Sequence, residues 1–532
     1  MNTVIRNIFL FFCVLIFSVS FSCVSNTGSA VALEDAEEVE FIQKKPVGGN
    51  YGVFYQIFVG SFSDSNGDGT GDLKGITQKL DYLNNGNLSS NRSLNIDGIW
   101  LTPIHPSRTY HKYDVIDYKA VDRSFGTIAD FEELTAECKK RGVKVIIDLV
   151  LNHTSIDHSW FQEARRGSQK YLNYYNIADS KLSNKYYPLG YAGKFYEGDF
   201  WDQMPDLNLD NPDVREEIKS IVNFWFEKGA AGFRLDATSK FFPDHDKNTA
   251  FLSWFTEYCK SQKDDVYIVA EGWESAGIVM SYYDSRIPSM FNFTMSDEKG
   301  MIPMAAATQN GANITTAMIN WNLLIKEKNP RAIDAVFISN HDQNRSAGYF
   351  NSDPVKIKTA AALYLTMPGN PFIYYGEEIG MTGSGIDENK RGPMIWSVNS
   401  RAGITRGPIG MTQRWRTSAG AEEQIRDPAS ITRFYIEAIR LRSSNPVLFS
   451  GTPGELKTGE RAVASWTVTD GSLTLAVLHN LSGAEKKINI EGANEIKGTL
   501  SAVYSSNAPV LDRQTLILPP FSTAIVRIQN RN

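Results

Sequence analysis

The sequence predicts an α/β fold: a closed (β/α)8 TIM barrel with a small domain inserted after strand 3 and a C-terminal antiparallel β-sandwich. Three observations predict it. Strand-like apolar runs alternate with helix-like segments from about residue 51 to residue 445, the pattern of a parallel sheet with helical crossovers. Eight such runs can be counted, enough to close a barrel. Beyond Asn445-Pro446 the pattern changes to short alternating runs divided by Gly, Asn, Ser and Asp, as in an antiparallel sandwich.

A chain of 532 residues suits one large domain with appendages. Lys+Arg of 54 against Asp+Glu of 60 gives a net charge of −6 with no basic tract, so no nucleic-acid partner is expected. Residues 1–23 read as an export signal, with Arg6 for charge, an apolar run over 8–17 and a small, interrupted stretch over 18–23. The apolar run is too short to span a bilayer. Ser20-Phe21-Ser22-Cys23 resembles a bacterial lipobox, although Ser20 stands where an aliphatic residue is usual. The expectation is an exported protein, lipid-anchored through Cys23 and facing the periplasm or cell surface; plain secretion and an uncleaved anchor are the rivals. The two cysteines outside this segment, Cys138 and Cys259, each fall in a predicted helix and read as buried free thiols. No CxxC or His/Cys cluster suggests zinc. The oligomeric state is open.

Residues 24–49 are rich in Ser, Gly, Ala and acids and read as a flexible linker. The barrel is expected over 50–153 and 207–445. Its first strand is VFYQIFVGSF, 53–62, which runs into a loop bearing Asp64, Asn66, Asp68, Thr70 and Asp72. Alternating oxygen donors with Gly69 at the sixth position suit a loop wrapping structural Ca²⁺, without the flanking helix or final Glu of an EF-hand. A polar turn is the plainer reading. The second strand is placed at 96–103, a helix at 130–141, and the third strand at 143–151. Residues 154–206 are rich in Tyr, Asn, Ser and Gly without steady periodicity, too long for an ordinary loop, and read as an inserted domain B. The alternation resumes with helix 212–228, strand 230–236, helix 248–262 and strand 266–273. A weak sixth strand at 290–295, a seventh at 334–342, an eighth at 371–378 and a helix at 430–443 complete it. Residues 446–532 form the sandwich through VASWTV, LTLAVLHNL, KKINI, TLILPP and STAIVRI.

Chemistry concentrates where strands end. The run at 232–240, GFRLDATSK, presents Arg234 and Asp236 on one face, since strand residues two apart share a side. An arginine beside a carboxylate holds it ionised, which suits a nucleophile or a metal ligand as well as a plain structural ion pair. The chain repeats the arrangement at Asp148, Asn152 and His153, at Glu271, and at His341 and Asp342. In a β/α barrel such ends converge on one face.

These segments are familiar as a set. DLVLNHT, GFRLDATSK, EGW and FISNHD, in that order, resemble the four hallmark regions of the α-amylase superfamily of retaining glycoside hydrolases, and MPDLN at 204–208 resembles its further marker. The resemblance implies Asp236 as nucleophile, Glu271 as general acid and base, and Asp342 as the third carboxylate at the transition state. It implies substrate-binding roles for four residues: Tyr113 stacking under the sugar at the cleavage point, unless it is a plain core aromatic, His153 and His341 hydrogen-bonding the same ring, and Arg234 keeping Asp236 ionised. The pKa of Glu271 must rise, and an apolar neighbour such as Trp273 is suited to assist. Ser239-Lys240 stands where many amylases have Lys-His, so Lys240 is read as a leaving-side sugar contact or as a replacement for a cation near Asn152 and Asp206. The YHKYDV stretch resembles that of intermediate, lipoprotein-type α-amylases. The implied activity is endo-acting hydrolysis of α-1,4-glucosidic bonds in an α-glucan. An exo-acting α-glucosidase or oligo-1,6-glucosidase is the alternative, and a catalytically silent starch-binding protein the alternative of another class.

Overall fold

The computed structural model describes residues 43–44 and 48–529. The export signal and its lipobox cysteine, with almost all of the expected linker, lie outside the described residues. Lys44 already belongs to the folded body, because its ammonium pairs with Asp97 at 2.9 Å. The expected linker therefore ends before residue 49.

Eight parallel strands form the barrel: β1 (Phe54–Ile57), β2 (Gly98–Leu101), β3 (Lys144–Leu149), β4 (Gly232–Leu235), β5 (Tyr267–Ala270), β6 (Ser289–Met290), β7 (Ala335–Val336) and β8 (Asn370–Tyr374). β8 pairs with β1, and the pairing continues in chain order round to β6. β7 pairs with β8, and a single parallel bridge from Phe291 to Ala335 completes the ring. The seam between β6 and β7 is thus the thinnest part of the wall.

The strands are shorter than the apolar runs suggest, because residues past each C-terminal end turn into functional loops. The run after β1 becomes helical at Val59–Phe62, where the Ser61 amide bonds back to Phe58. The sixth run leaves the sheet at Phe293, whose amide bonds to the Phe291 carbonyl. After β8, Gly376 takes φ of 82° and starts a 3-10 turn at Glu377–Ile379. That left-handed conformation costs glycine little.

Helices cover the outside. α1 (Ile128–Lys140) opens on a Thr127/Asp130 capping box. α2 (Pro212–Glu227) opens on an Asn211 cap with Pro at its first position and buries Val214, Ile218, Ile221, Val222 and Trp225 along one stripe. α3 (His245–Gln262) and α4 (Ile431–Ser444) begin on Asp244 and Ser430 caps. Cys138 and Cys259 are buried free thiols. Between β3 and β4, two short helices and a three-stranded antiparallel sheet (Ile177–Ala178, Phe195–Glu197, Tyr186–Pro188) form the excursion.

The C-terminal region holds one five-stranded and one three-stranded antiparallel sheet. Period-two alternation gives the larger sheet two buried faces. Ala476, Leu478, Ala524 and Val526 face a core shared with Ile488, Leu516 and Leu518 of the smaller sheet. Trp466, Val468, Leu475, Val477 and Ile525 instead join the large core of the barrel body. Among the described residues no helix is long and apolar enough to cross a membrane.

Candidate active site

Inside the barrel, side chains follow the same period of two and change character along each strand. Phe54, Ile146, Tyr267, Val269 and Phe372 fill the interior with Trp100, Phe291 and Phe337. One step further toward the C-terminal ends, the inward positions become Gln56, Asp148, Arg234 and Glu271. Apolar packing below fixes the polar layer above, where catalytic groups of such barrels lie.

Arg234 is the hub of that layer, with only 1% of its surface exposed. Its Nη1 donates to Asp148 Oδ1 at 2.8 Å and Asp236 Oδ1 at 2.6 Å, and its Nη2 lies 3.0 Å from Glu271 Oε1. A buried guanidinium is tolerable only because carboxylates balance its charge, here through both Nη atoms. Asp148 also accepts from Trp100 Nε1 at 3.2 Å and the Tyr113 hydroxyl at 3.0 Å, so it anchors the hub. Glu271 Oε2 accepts from the Ala237 amide at 3.0 Å.

The carboxylates are driven apart electrostatically. Burial pushes Glu271 up to about 8, with Arg234 opposing. Burial also raises Asp236, and its direct contact with Arg234 works against that push. Asp342 goes the other way. Burial disfavours its charge, yet His341, Arg391 and Arg234 outweigh burial and hold it below the ordinary carboxylate range. Arg391 Nη2 lies 2.7 Å from Asp342 Oδ1 and 3.0 Å from Asp387 Oδ2, its Nη1 donates to the Tyr110 hydroxyl, and its Nε donates to the His341 carbonyl.

One cavity of about 420 Å³ gathers the reactive groups. Asp236, Glu271, Asp342, Tyr113 and His153 line it, together with Arg391 and the aromatic rings of Phe200, Trp201 and Trp273. Arg234 and His341 stand just behind its wall, each 1% exposed. The His341 ring lies parallel to that of Tyr113, centroids 5.5 Å apart. His153 Nε2 contacts the Tyr113 carbonyl at 3.2 Å, and burial lowers its pKa to about 4. Trp273 stands half exposed at the rim, stacked on Phe293, so burial sets the shift of Glu271.

Lys240 is not in this group. It lines a neighbouring cavity of about 280 Å³ with Asn152, Asp199 and Asp206, and its ammonium lies 3.7 Å from Asp199. Asn152 donates directly to Asp206 at 3.0 Å. Burial, followed by the nearby Glu197, pushes Asp206 up to about 8.

The 64–72 loop has the all-oxygen donor types that calcium takes, and Gly69 turns at φ of 90° as the pattern expects. Its acids are occupied within the loop. Asp64 accepts from the amides of Asn66, Gly67 and Gly69, Asp68 from Thr70, and Asp72 caps the helix Leu73–Gln78 while holding Ser65. Among the described residues no three His, Cys, Asp or Glu side chains gather as a metal site. The loop matches such an ion in residue types and turn, while its carboxylates are turned to the loop's own donors.

Comparison with known proteins decides the family. The family model described as "Alpha amylase, catalytic domain" matches residues 56–451, and "Alpha-amylase SusG C-terminal domain" matches residues 463–525. The chain belongs to the α-amylase family. Among its relatives, Alpha-amylase 3 of Dictyoglomus thermophilum is 39% identical over 90% of this chain and 93% of its own. The solved structure of Eubacterium rectale Amy13B superposes with a TM-score of 0.84 at 36% identity, over 91% of this chain and 96% of its own. The oligo-1,6-glucosidase of Parageobacillus thermoglucosidasius is 29% identical over 81% of this chain and 90% of its own. Like other α-amylase family hydrolases, the protein acts on α-glucosidic bonds.

Several residues of this α-amylase-family site carry no signal in the hallmark blocks. Gln56 could have been found as the polar residue at inward parity with Phe54 in the first apolar run. Arg391, Phe200 and Trp201 lie on irregular loops and Asp387 opens a four-residue helix, Asp387–Lys390, all too short or irregular for periodicity to point to them.

Proposed function

We propose that the protein is an endo-acting α-amylase that cleaves α-1,4-glucosidic bonds of starch-like glucans with retention. Asp236 attacks the anomeric carbon, while Glu271 gives its proton to the departing glycosidic oxygen. The glycosyl-enzyme ester is then opened by water, which Glu271, now ionised, deprotonates. Asp342, held anionic by Arg391, accepts hydrogen bonds from ring hydroxyls as positive charge builds on the sugar.

The observation that carries this reading is the single guanidinium of Arg234 in contact with both Asp236 and Glu271. Two carboxylates gathered on one planar fork suit the short separation, about 5 Å, that retention uses. The push of Glu271 to about 8 supplies a protonated acid at neutral pH, and Arg234 keeps the nucleophile within reach of ionisation. Rings on both the excursion (Phe200, Trp201) and the loop after β5 (Trp273) offer stacking platforms to an extended chain rather than to one terminal sugar. Structural Ca²⁺ at Asp64, Asn66, Asp68, Thr70 and Asp72 belongs to the same proposal; such an ion would brace the loop and takes no part in the displacement.

The test is a time course of products from soluble starch and from an isomaltose-type oligosaccharide, with Asp236→Asn as control. An early ladder of maltooligosaccharides, absent from the control, is expected. Glucose as sole early product would replace the reading with an exo-glucosidase. No release from either substrate would replace it with a binding protein.

A further inference from the structure

We propose that Gln56 is a positioning residue: its side-chain amide fixes His341 in the tautomer with the proton on Nε2, and through it orients the Tyr113 hydroxyl and the Asp342 carboxylate that line the cavity. Gln56 Nε2 and His341 Nδ1 are 2.7 Å apart, and the two side chains are 2% and 1% exposed. Both are buried.

The direction of each bond follows from what the partners can accept. His341 Nε2 faces Asp342 Oδ2 at 3.1 Å and the Tyr113 hydroxyl at 2.6 Å. Asp342, ionised beside Arg391, offers only lone pairs. The Tyr113 hydroxyl gives its hydrogen to Asp148 Oδ2 at 3.0 Å and so also presents a lone pair to the histidine. A bare Nε2 would meet acceptors alone, so Nε2 carries the proton. Burial keeps the ring singly protonated, with its pKa lowered to about 3, so Nδ1 is an acceptor and needs a donor. Gln56 supplies it. Turning the amide over would put two acceptors face to face, and a buried acceptor without a donor is costly.

The chain Gln56 to His341 to Tyr113 to Asp148 therefore runs in one direction and ends on the carboxylate that anchors Arg234. Gln56 is not among the residues that line the cavity, and its side-chain hydrogen bond reaches His341.

The tautomer can be read without substrate, so this arm stands apart from the proposed α-glucan activity, on which only the kinetic arm rests. Nitrogen NMR of ¹⁵N-histidine-labelled full-length protein, with the His341 signals assigned by their loss in His341→Ala, should show an unprotonated Nδ1 and a protonated Nε2. Gln56→Glu, which can only accept while ionised, should add a proton at Nδ1 and leave the ring doubly protonated, since Nε2 still faces acceptors. Gln56→Leu should lower kcat roughly ten- to hundredfold with KM changed less than threefold. In the His341→Ala background the same substitution should change kcat less than twofold, because its effect passes through the ring. A protonated Nδ1 in the unsubstituted protein would overturn the proposal even if the Gln56 variants failed to fold. Equal losses from Gln56→Leu in both backgrounds would overturn it too, by showing a merely structural role.

Discussion

Arg391 holds Asp342 by a 2.7 Å contact from Nη2 to Oδ1, although the two come from separate loops 49 residues apart. The same guanidinium ties in Asp387, the Tyr110 hydroxyl and the His341 carbonyl. Its loss would leave Asp342 facing burial with one fewer cation. Arg391→Met should lower kcat/KM about 100-fold, roughly 2.7 kcal/mol, and Arg391→Lys should fall between, because lysine keeps the charge without the fork. The Asp342 pKa then rises, so the acid limb of the kcat/KM profile should move to higher pH.

Glu271→Gln should cost about 10²- to 10⁴-fold on starch, the range for a lost general acid. An aryl α-glycoside with an activated leaving group needs no proton and should retain most of its first-step rate. Asp236→Asn should abolish both reactions. Burst kinetics on the aryl substrate separates the two outcomes.

Several buried carboxylates make stability fall as pH rises. Burial pushes Glu377 and Asp334 up to about 7, against an ordinary value near 4. The folded chain therefore binds more protons than the unfolded chain between about pH 4 and 7. Their stabilising contribution is complete below the unfolded pKa and is lost as pH passes the folded one, by at most about 1.4 kcal/mol per pH unit for each group. Tm measured from pH 5 to pH 8 should decline, and Glu377→Gln should flatten part of the slope. Activity should decline too as pH passes about 8, where Glu271 loses the proton it must donate.

Calcium removal should lower Tm without altering kcat at temperatures where the chain stays folded. Adding a chelator to Asp68→Ala should then produce little further change, since both act on one ion. Isothermal titration of the apo protein with Ca²⁺ should give one site per chain.

The order of elements was legible because burial leaves its mark: runs such as 143–151 and 230–236 are mostly apolar where both faces of a strand are covered, broken by the polar residues that enter the site. Their lengths were not. The seventh run, 334–342, keeps only Ala335–Val336 in regular pairing, because its remaining residues carry Asn340, His341 and Asp342 into the site, and function there overrides propensity. Three strands of the sandwich, Thr452–Glu455, Ala493–Ser501 and Val510–Asp512, were invisible, being short or exposed at sheet edges. The site divided in the same way. Asp236, Glu271 and Asp342 announce themselves at the ends of apolar runs. Arg391 gives no such notice, since a loop records its contacts only in three dimensions.

The C-terminal sheets pack beside the thin junction between β6 and β7. The helices Met301–Thr308 and Ala312–Lys328 span that junction, and the sandwich packs on the second of them. The Gly311 amide bonds to the Arg461 carbonyl, the Ser465 amide to the Thr315 hydroxyl, and a methyl group at Gly311 would sit 2.3 Å from the Ala464 nitrogen. The appendage thus works as a splint strapped over a fracture line. Without it, amide protons near Phe291 and Ala335 would be the first in the wall to exchange, and the floor beneath Glu271 would begin to breathe.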